Sequence, residues 1–190
     1  MFKRMSVALL TLGLLSTPAA AQSIEYVYTK FDAKKCKHTK GKDVEDYGSW
    51  LCPGYKNLPV RLSAGDQRMY VTFGRLTDDN IADTETFPGF NDVYEGTVEW
   101  RIEKRADGKE RPFATILRWN LVTAEDQEKA TGPIKPSGRV LVVTRLGPGG
   151  TCHVGYVDGR TRDANERARK LADERARTFK CGKDKADYAD

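Results

Sequence analysis

The stretch TVEWRIEK, residues 97–104, shows the clearest alternation of apolar and charged residues in the chain. Its apolar residues occupy every second position, and charged residues occupy the positions between them: Val98, Trp100 and Ile102, then Glu99, Arg101 and Glu103. Side chains of a β-strand point alternately to opposite faces. The stretch therefore predicts a strand with one buried face and one face in water, with Trp100 in the core.

The segments on either side of this strand are also typical of β-structure. FATILRWNLV, residues 113–122, is apolar on both faces, which predicts a central strand, and IEYVYTKF, residues 24–31, predicts the first strand. Two hairpins are expected, one joining residues 58–62 to 69–73 and one joining residues 140–146 to 152–157. The glycine-rich loop in the second hairpin leads into a strand, so we interpret it as a turn and not as a phosphate loop.

Helical periodicity is confined to two places. A short helix is expected at residues 123–132, with Thr123 as its N-cap. From Asp163 to Phe179 the apolar period becomes 3.6 residues, and Asp163 and Glu166 have the spacing of a capping box. The predicted fold class is therefore α+β: a mainly antiparallel sheet with one C-terminal amphipathic helix packed on one face.

The N-terminus has the pattern of a secretory signal peptide. Lys3 and Arg4 precede a short apolar run, and small residues lead to an expected cleavage between Ala21 and Gln22. Residues 22–190 would then form a single domain without a membrane span or a lipid anchor. Removing residues 1–21 lowers the formal net charge from +5 to +3, which does not indicate a nucleic-acid binder. We expect a periplasmic or secreted protein.

All four cysteines, Cys36, Cys52, Cys152 and Cys181, lie after the expected cleavage point. An even number in an oxidising compartment predicts two disulfides. The alternative is a zinc site that also uses the two histidines, but the paired spacing of most zinc ligands is missing. A strand of about 20 Å followed by a helix of about 25 Å would return Cys181 to the level of Cys152. We therefore predict the pairs Cys36–Cys52 and Cys152–Cys181.

Few residues suggest a functional surface. Tyr70 lies opposite to the apolar positions of its strand, and Arg175 belongs to a basic set on the helix, which we interpret mainly as a charge-balanced, solvated face. His153 is the third candidate contact residue. It is expected on the sheet face away from the helix, without a partner, and to be dispensable for folding and for activity. No catalytic, metal-binding or cofactor motif is recognisable, so we predict no catalytic residue, no metal and no cofactor.

Several strings resemble a family of exported alphaproteobacterial proteins. They are CPGYKNLPVRLSAGDQRMYVTFG, GFNDVYEGTVEWR, RPFATILRW, CHVGYVDG and the final FKCG. That family has no assigned activity, so the resemblance implies compartment and fold but no site residues.

Three functions remain open from the sequence. The first is a monomeric, non-catalytic periplasmic binding or interaction module for an unknown envelope component or protein. The second is an inhibitor of a hydrolase such as lysozyme. The third is a hydrolase that uses His153 together with carboxylates.

Overall fold

The computed structural model describes residues 23–43, 46–66, 68–75 and 80–189. The expected cleavage site at Ala21 and Gln22 lies outside these residues. The described α-helices are α1 (Ala124–Glu128) and α2 (Ala164–Arg175), and Ala33–Lys35 form one turn of 3-10 helix. The described strands are β1 (Ser23–Asp32), β2 (Lys37–Thr39), β3 (Asp46–Tyr55), β4 (Leu58–Gly65), β5 (Arg68–Phe73), β6 (Asn91–Asp92), β7 (Glu95–Lys104), β8 (Glu110–Leu121), β9 (Gly138–Arg145), β10 (Cys152–Asp158) and β11 (Asp187–Tyr188).

The described strands form two sheets. The main sheet has the order β1-β7-β8-β9-β10-β11, with β6 added beside β8, and the small sheet has the order β2-β3-β4-β5. All pairings are antiparallel except that of β10 with β11. Both predicted hairpins are present, as β4–β5 and β9–β10, and β8 is central as expected.

The two sheets face each other across the larger apolar core. Trp100 of β7 and Trp119 of β8 are fully buried there, opposite Val60 and Leu62 of β4 and Phe73 of β5. The ring of Phe73 meets that of Trp100 edge to face at 5.5 Å. Burial of this aromatic surface is the main force that holds the small sheet against the main sheet.

Helix α2 covers the other face of the main sheet. Ala168 and Ala172 are fully buried against Leu141 and Val143 of β9. Alanine at these positions lets the helix lie close to the strands. The helix is shorter than the predicted 163–179, because the chain after Arg175 continues as turns, and Asp163 makes no side-chain capping bond. No helix in the described ranges is both long and apolar enough to cross a membrane.

The prediction that one face of β7 is wet is wrong. Glu99 and Arg101 are each only 6% exposed, and Glu103 is 5% exposed, because α2 and β1 enclose this face. The charges stay buried because they are paired: Arg169 binds Glu99 with Nε–Oε1 at 2.8 Å, and Arg101 binds Asp173. Part of the basic helix face is therefore turned toward the sheet.

The disulfides have the pairing predicted from the sequence. Cys152 of β10 is bonded to Cys181, which follows α2, and Cys36 is bonded to Cys52 of β3. The first bond ties the end of the helical layer to the main sheet. The second ties the turn after β1 to the small sheet, so each disulfide joins two layers of the fold.

The short helix begins as expected, with Thr123 and Asp126 forming a capping box, but it ends at Glu128, earlier than predicted.

Candidate functional site

The outer face of the small sheet carries side chains that point away from the core. Val60 and Leu62 of β4 point inward, so Arg61 and Ser63 point outward. The strand register places outward residues side by side across all four strands. They form two rows, which we name the cationic row, Lys37, Leu51, Arg61 and Thr72, and the hydroxyl row, Thr39, Ser49, Ser63 and Tyr70.

The two rows line a concave site, the small-sheet cleft, of about 290 Å³. Asp83 contributes the carboxylate that lines it, from the segment before β6. Directly opposite residues on paired strands have their Cβ atoms about 5 Å apart. Four hydroxyl-bearing side chains therefore stand beside one another, next to two cationic side chains.

Arg61 is held in place by a hydrogen bond from the Nε of its guanidinium group. Its Nε–H donates to the carbonyl of Gly74 at 2.8 Å. No carboxylate of the described residues pairs with Arg61 or Lys37 in a salt bridge. The two Nη groups of Arg61 are thus left without a protein partner among the described residues, on a side chain whose position is already fixed.

Thr72 sits opposite Arg61 on the neighbouring strand and borders the cleft. Its side chain is only 3% exposed, and its hydroxyl has no hydrogen-bond partner among the described residues. A buried polar group left unpaired costs about 1–3 kcal/mol. The hydroxyls of Thr39, Ser49, Ser63 and Tyr70 also make no bond to described residues. The cleft therefore offers donors and acceptors that the fold does not use.

Tyr70 is the predicted contact residue that lies in this cleft, where it is half-buried. Arg175 lies elsewhere. Its guanidinium stacks over the ring of Phe179 at 5.5 Å and donates to the carbonyl of Lys185 at 3.3 Å. It supports the chain after α2 and does not line the small-sheet cleft.

His153 faces away from the helix, as expected, but it is not at a surface. It is 2% exposed, and its ring packs edge to face on Trp119 and Tyr156. A β-bulge between His153 and Gly155 puts His153 and Tyr156 on the same face, whereas strict alternation would separate them. A contact role for His153 is therefore wrong, because its ring is enclosed by the core side chains of Trp119 and Tyr156.

His153 also has partners that the sequence did not predict. Its backbone N–H donates to the carboxylate of Glu85 at 2.6 Å, and its Nδ1 lies 3.3 Å from the hydroxyl of Tyr156. Burial lowers the pKa of His153 to about 3 and raises that of Tyr156 to about 12, and burial also raises the pKa of Glu85. The Nε2 atom has no partner among the described residues. These surroundings suit a neutral, structural histidine.

A second, wider cleft lies at the open end between the sheets. Its lining is mainly apolar, with a volume of about 490 Å³: Tyr47, Phe90, Tyr94, Val122 and Ile134 are among its residues. None of the unpartnered buried polar atoms among the described residues belongs to this lining. This cleft therefore offers apolar surface but no unpartnered buried polar group, in contrast to the small-sheet cleft.

Most residues of the small-sheet cleft carry no signal in the sequence pattern. The alternation of Val60, Arg61 and Leu62 showed which residues face outward on β4, but β2 has only three residues and carries no strand signal of its own. The two rows exist only after four separate segments are paired.

Among the described residues, no group of three or more histidine, cysteine, aspartate or glutamate side chains could hold a metal ion.

Comparison of the chain with known proteins found no matching family model, no matching curated protein and no matching solved structure.

Proposed function

We propose that this chain is a non-catalytic binding module of the bacterial envelope that holds a small polar ligand in the small-sheet cleft. The observation that carries the proposal is the unpartnered, buried hydroxyl of Thr72 beside the tethered guanidinium of Arg61. Water or a ligand must satisfy such groups, and a concave site with convergent polar groups is the usual form of a ligand site.

Binding is favoured over catalysis by what the cleft contains. A serine, threonine or tyrosine nucleophile needs a base within hydrogen-bonding reach. No hydroxyl of the hydroxyl row is hydrogen-bonded to a base among the described residues. The histidine that a hydrolase would use, His153, is buried in the core instead. The arrangement therefore supports recognition of a ligand better than its turnover.

The envelope location is supported by two independent features. Residues 1–21 have the composition of a signal peptide that ends at Ala21, and both disulfides require an oxidising compartment to persist. The resemblance to exported alphaproteobacterial proteins points the same way. We further propose that residues 22–190 act as one domain and as a monomer.

Calorimetry with small building blocks of the envelope tests the binding function. The oxidised protein would be titrated separately with a neutral amino sugar, a dipeptide and glycerol phosphate. We expect saturable binding of at least one of them, lost in Ser63→Trp, which fills the cleft, and kept in Thr131→Trp, an exposed position beyond α1. Melting curves would confirm that both variants fold. Equal binding by the two variants, or no binding at all, would contradict the proposal.

A further inference from the structure

The polar groups of the small-sheet cleft are not balanced in charge. Lys37 and Arg61 line it as cations, whereas Asp83 is its carboxylate. None of the three forms a salt bridge with another described residue. Leu51 stands between the two cations in the cationic row, so both can reach the same volume from either side of an apolar spacer.

We propose that the cleft selects a ligand with an anionic head, a carboxylate or a phosphate, seated between Arg61 and Thr72. This inference rests on the proposed binding function and names the chemistry of the ligand. Arg61 presents its two Nη groups as a fork, the geometry that matches two oxygens of one carboxylate or phosphate.

The fork is pre-organised by its tether. Because Nε donates to the carbonyl of Gly74, the guanidinium cannot swing freely, and little conformational entropy remains to be lost on binding. Lysine in the same place would supply charge without this planar fork.

Thr72 supplies the second contact. It lies directly across from Arg61 on β5, and its hydroxyl has no partner among the described residues. A donated O–H bond to the anion, directly or through one water, would satisfy it.

Lys37 adds a second positive charge two strands away from Arg61, at about 10 Å. Asp83 opposes a second negative charge at its own side of the cleft, which favours a ligand with one anionic group.

Titration calorimetry at pH 7 and constant ionic strength tests the anion seat. The probes are sodium acetate, sodium phosphate and, as a neutral control, glucose. We expect saturable binding of at least one anion, weakened at least tenfold in Arg61→Gln and partly restored in Arg61→Lys. The matched control is Arg105→Gln, an exposed arginine in the turn after β7, which should bind as the unmodified protein does. Thr72→Val should weaken binding without a change of charge.

Each outcome decides something different. A stronger response to phosphate than to acetate, or the reverse, identifies which source of the anion fits. Equal anion binding by Arg61→Gln and the unmodified protein would overturn the anion seat, and so would binding of glucose alone. Binding of glucose alone in the cleft would leave the proposed binding function standing. If Arg61→Gln does not fold, anion binding by Arg61→Lys and Thr72→Val decides. Weaker binding by both variants than by the unmodified protein supports the anion seat, and unchanged binding by both overturns it. If no probe binds, the anion seat is wrong, and the panel of envelope building blocks tests the binding function separately.

Discussion

Arg101 of β7 and Asp173 of α2 are joined by two parallel bonds, with Nε–Oδ1 at 2.9 Å and Nη2–Oδ2 at 2.6 Å. The Arg101 side chain is 7% exposed, and its Nη1 also donates to Glu99 at 3.2 Å. This bidentate pair links the helix to the main sheet, and it is strong because planar guanidinium and carboxylate groups match in geometry. It lies where the sequence pattern predicted a face in water.

Removing Arg101 should therefore be costly. Arg101→Ala leaves the buried carboxylate of Glu99 with only Arg169 and the hydroxyl of Tyr28 as partners, and it removes the partner of the Asp173 carboxylate. We expect a loss of about 2–4 kcal/mol in the free energy of unfolding, below the upper end for a fully buried pair because Asp173 is partly exposed. Urea denaturation measures it. The control Arg162→Ala, an exposed arginine before α2, should change stability by less than about 0.5 kcal/mol. Similar losses in the two variants would show that the link is not stabilising.

The disulfide between Cys152 and Cys181 should be worth slightly more than that between Cys36 and Cys52. The two bonds close loops with sequence separations of 29 and 16. In the loop-entropy description these correspond to about 3.6 and 3.1 kcal/mol. Paired alanine variants of each disulfide, compared by urea denaturation under non-reducing conditions, measure the two losses. A loss below about 1 kcal/mol for the Cys152–Cys181 pair would contradict its role as a clamp on the helix. Four free thiols in protein purified without reducing agent would reopen the zinc alternative.

His153 should make stability fall in acid. Its pKa is lowered to about 3 in the folded protein from an ordinary 6.5, so below pH 6.5 the unfolded chain binds a proton that the folded protein does not. The contribution of the neutral, buried His153 to the free energy of unfolding is complete above pH 6.5. It is lost progressively as the pH falls toward 3. Between pH 7 and pH 5 we expect a loss of about 2 kcal/mol, which His153→Gln should largely remove.

The raised pKa of Glu85 acts in the opposite direction. The folded protein holds this proton more tightly than the unfolded chain, so stability rises as pH falls toward 4.5 and offsets part of the histidine effect there. The cleanest comparison is therefore between pH 7 and pH 5.5. Identical pH profiles for His153→Gln and the unmodified protein would show that His153 is not buried in its neutral form.

Local patterns were enough to predict the five long strands of the main sheet, the β4–β5 hairpin and the disulfides, but not the short strands β2, β6 and β11 or the environments of single residues. Alternation around Trp100 identifies β7, yet it cannot show that α2 folds over Glu99 and Arg101 from some 70 positions away. A one-residue bulge at Val154 changes the sheet face to which the Tyr156 side chain points, and it has no clear sequence signal. These features depend on long-range packing.

Tyr70 is the residue of the candidate site that the sequence pattern identified as a contact. Arg61 and Thr72 lie eleven positions apart on strands that were both predicted, so the hairpin could have placed them side by side. Lys37 and Thr39 could not have been added, because β2 forms only through its pairing with β3. What makes the cleft a candidate is the unpartnered hydroxyl of Thr72, and hydrogen bonding is visible only in three dimensions.

Chemical-shift mapping of the ¹⁵N-labelled, oxidised protein during titration with sodium phosphate locates the anion seat residue by residue. We predict saturable shifts concentrated at the Nε–H of Arg61 and the amides of Ser63, Tyr70 and Thr72. Largest shifts around Tyr47, Phe90 and Ile134 in the apolar cleft, or linear shifts spread over the arginines of α2, would contradict it.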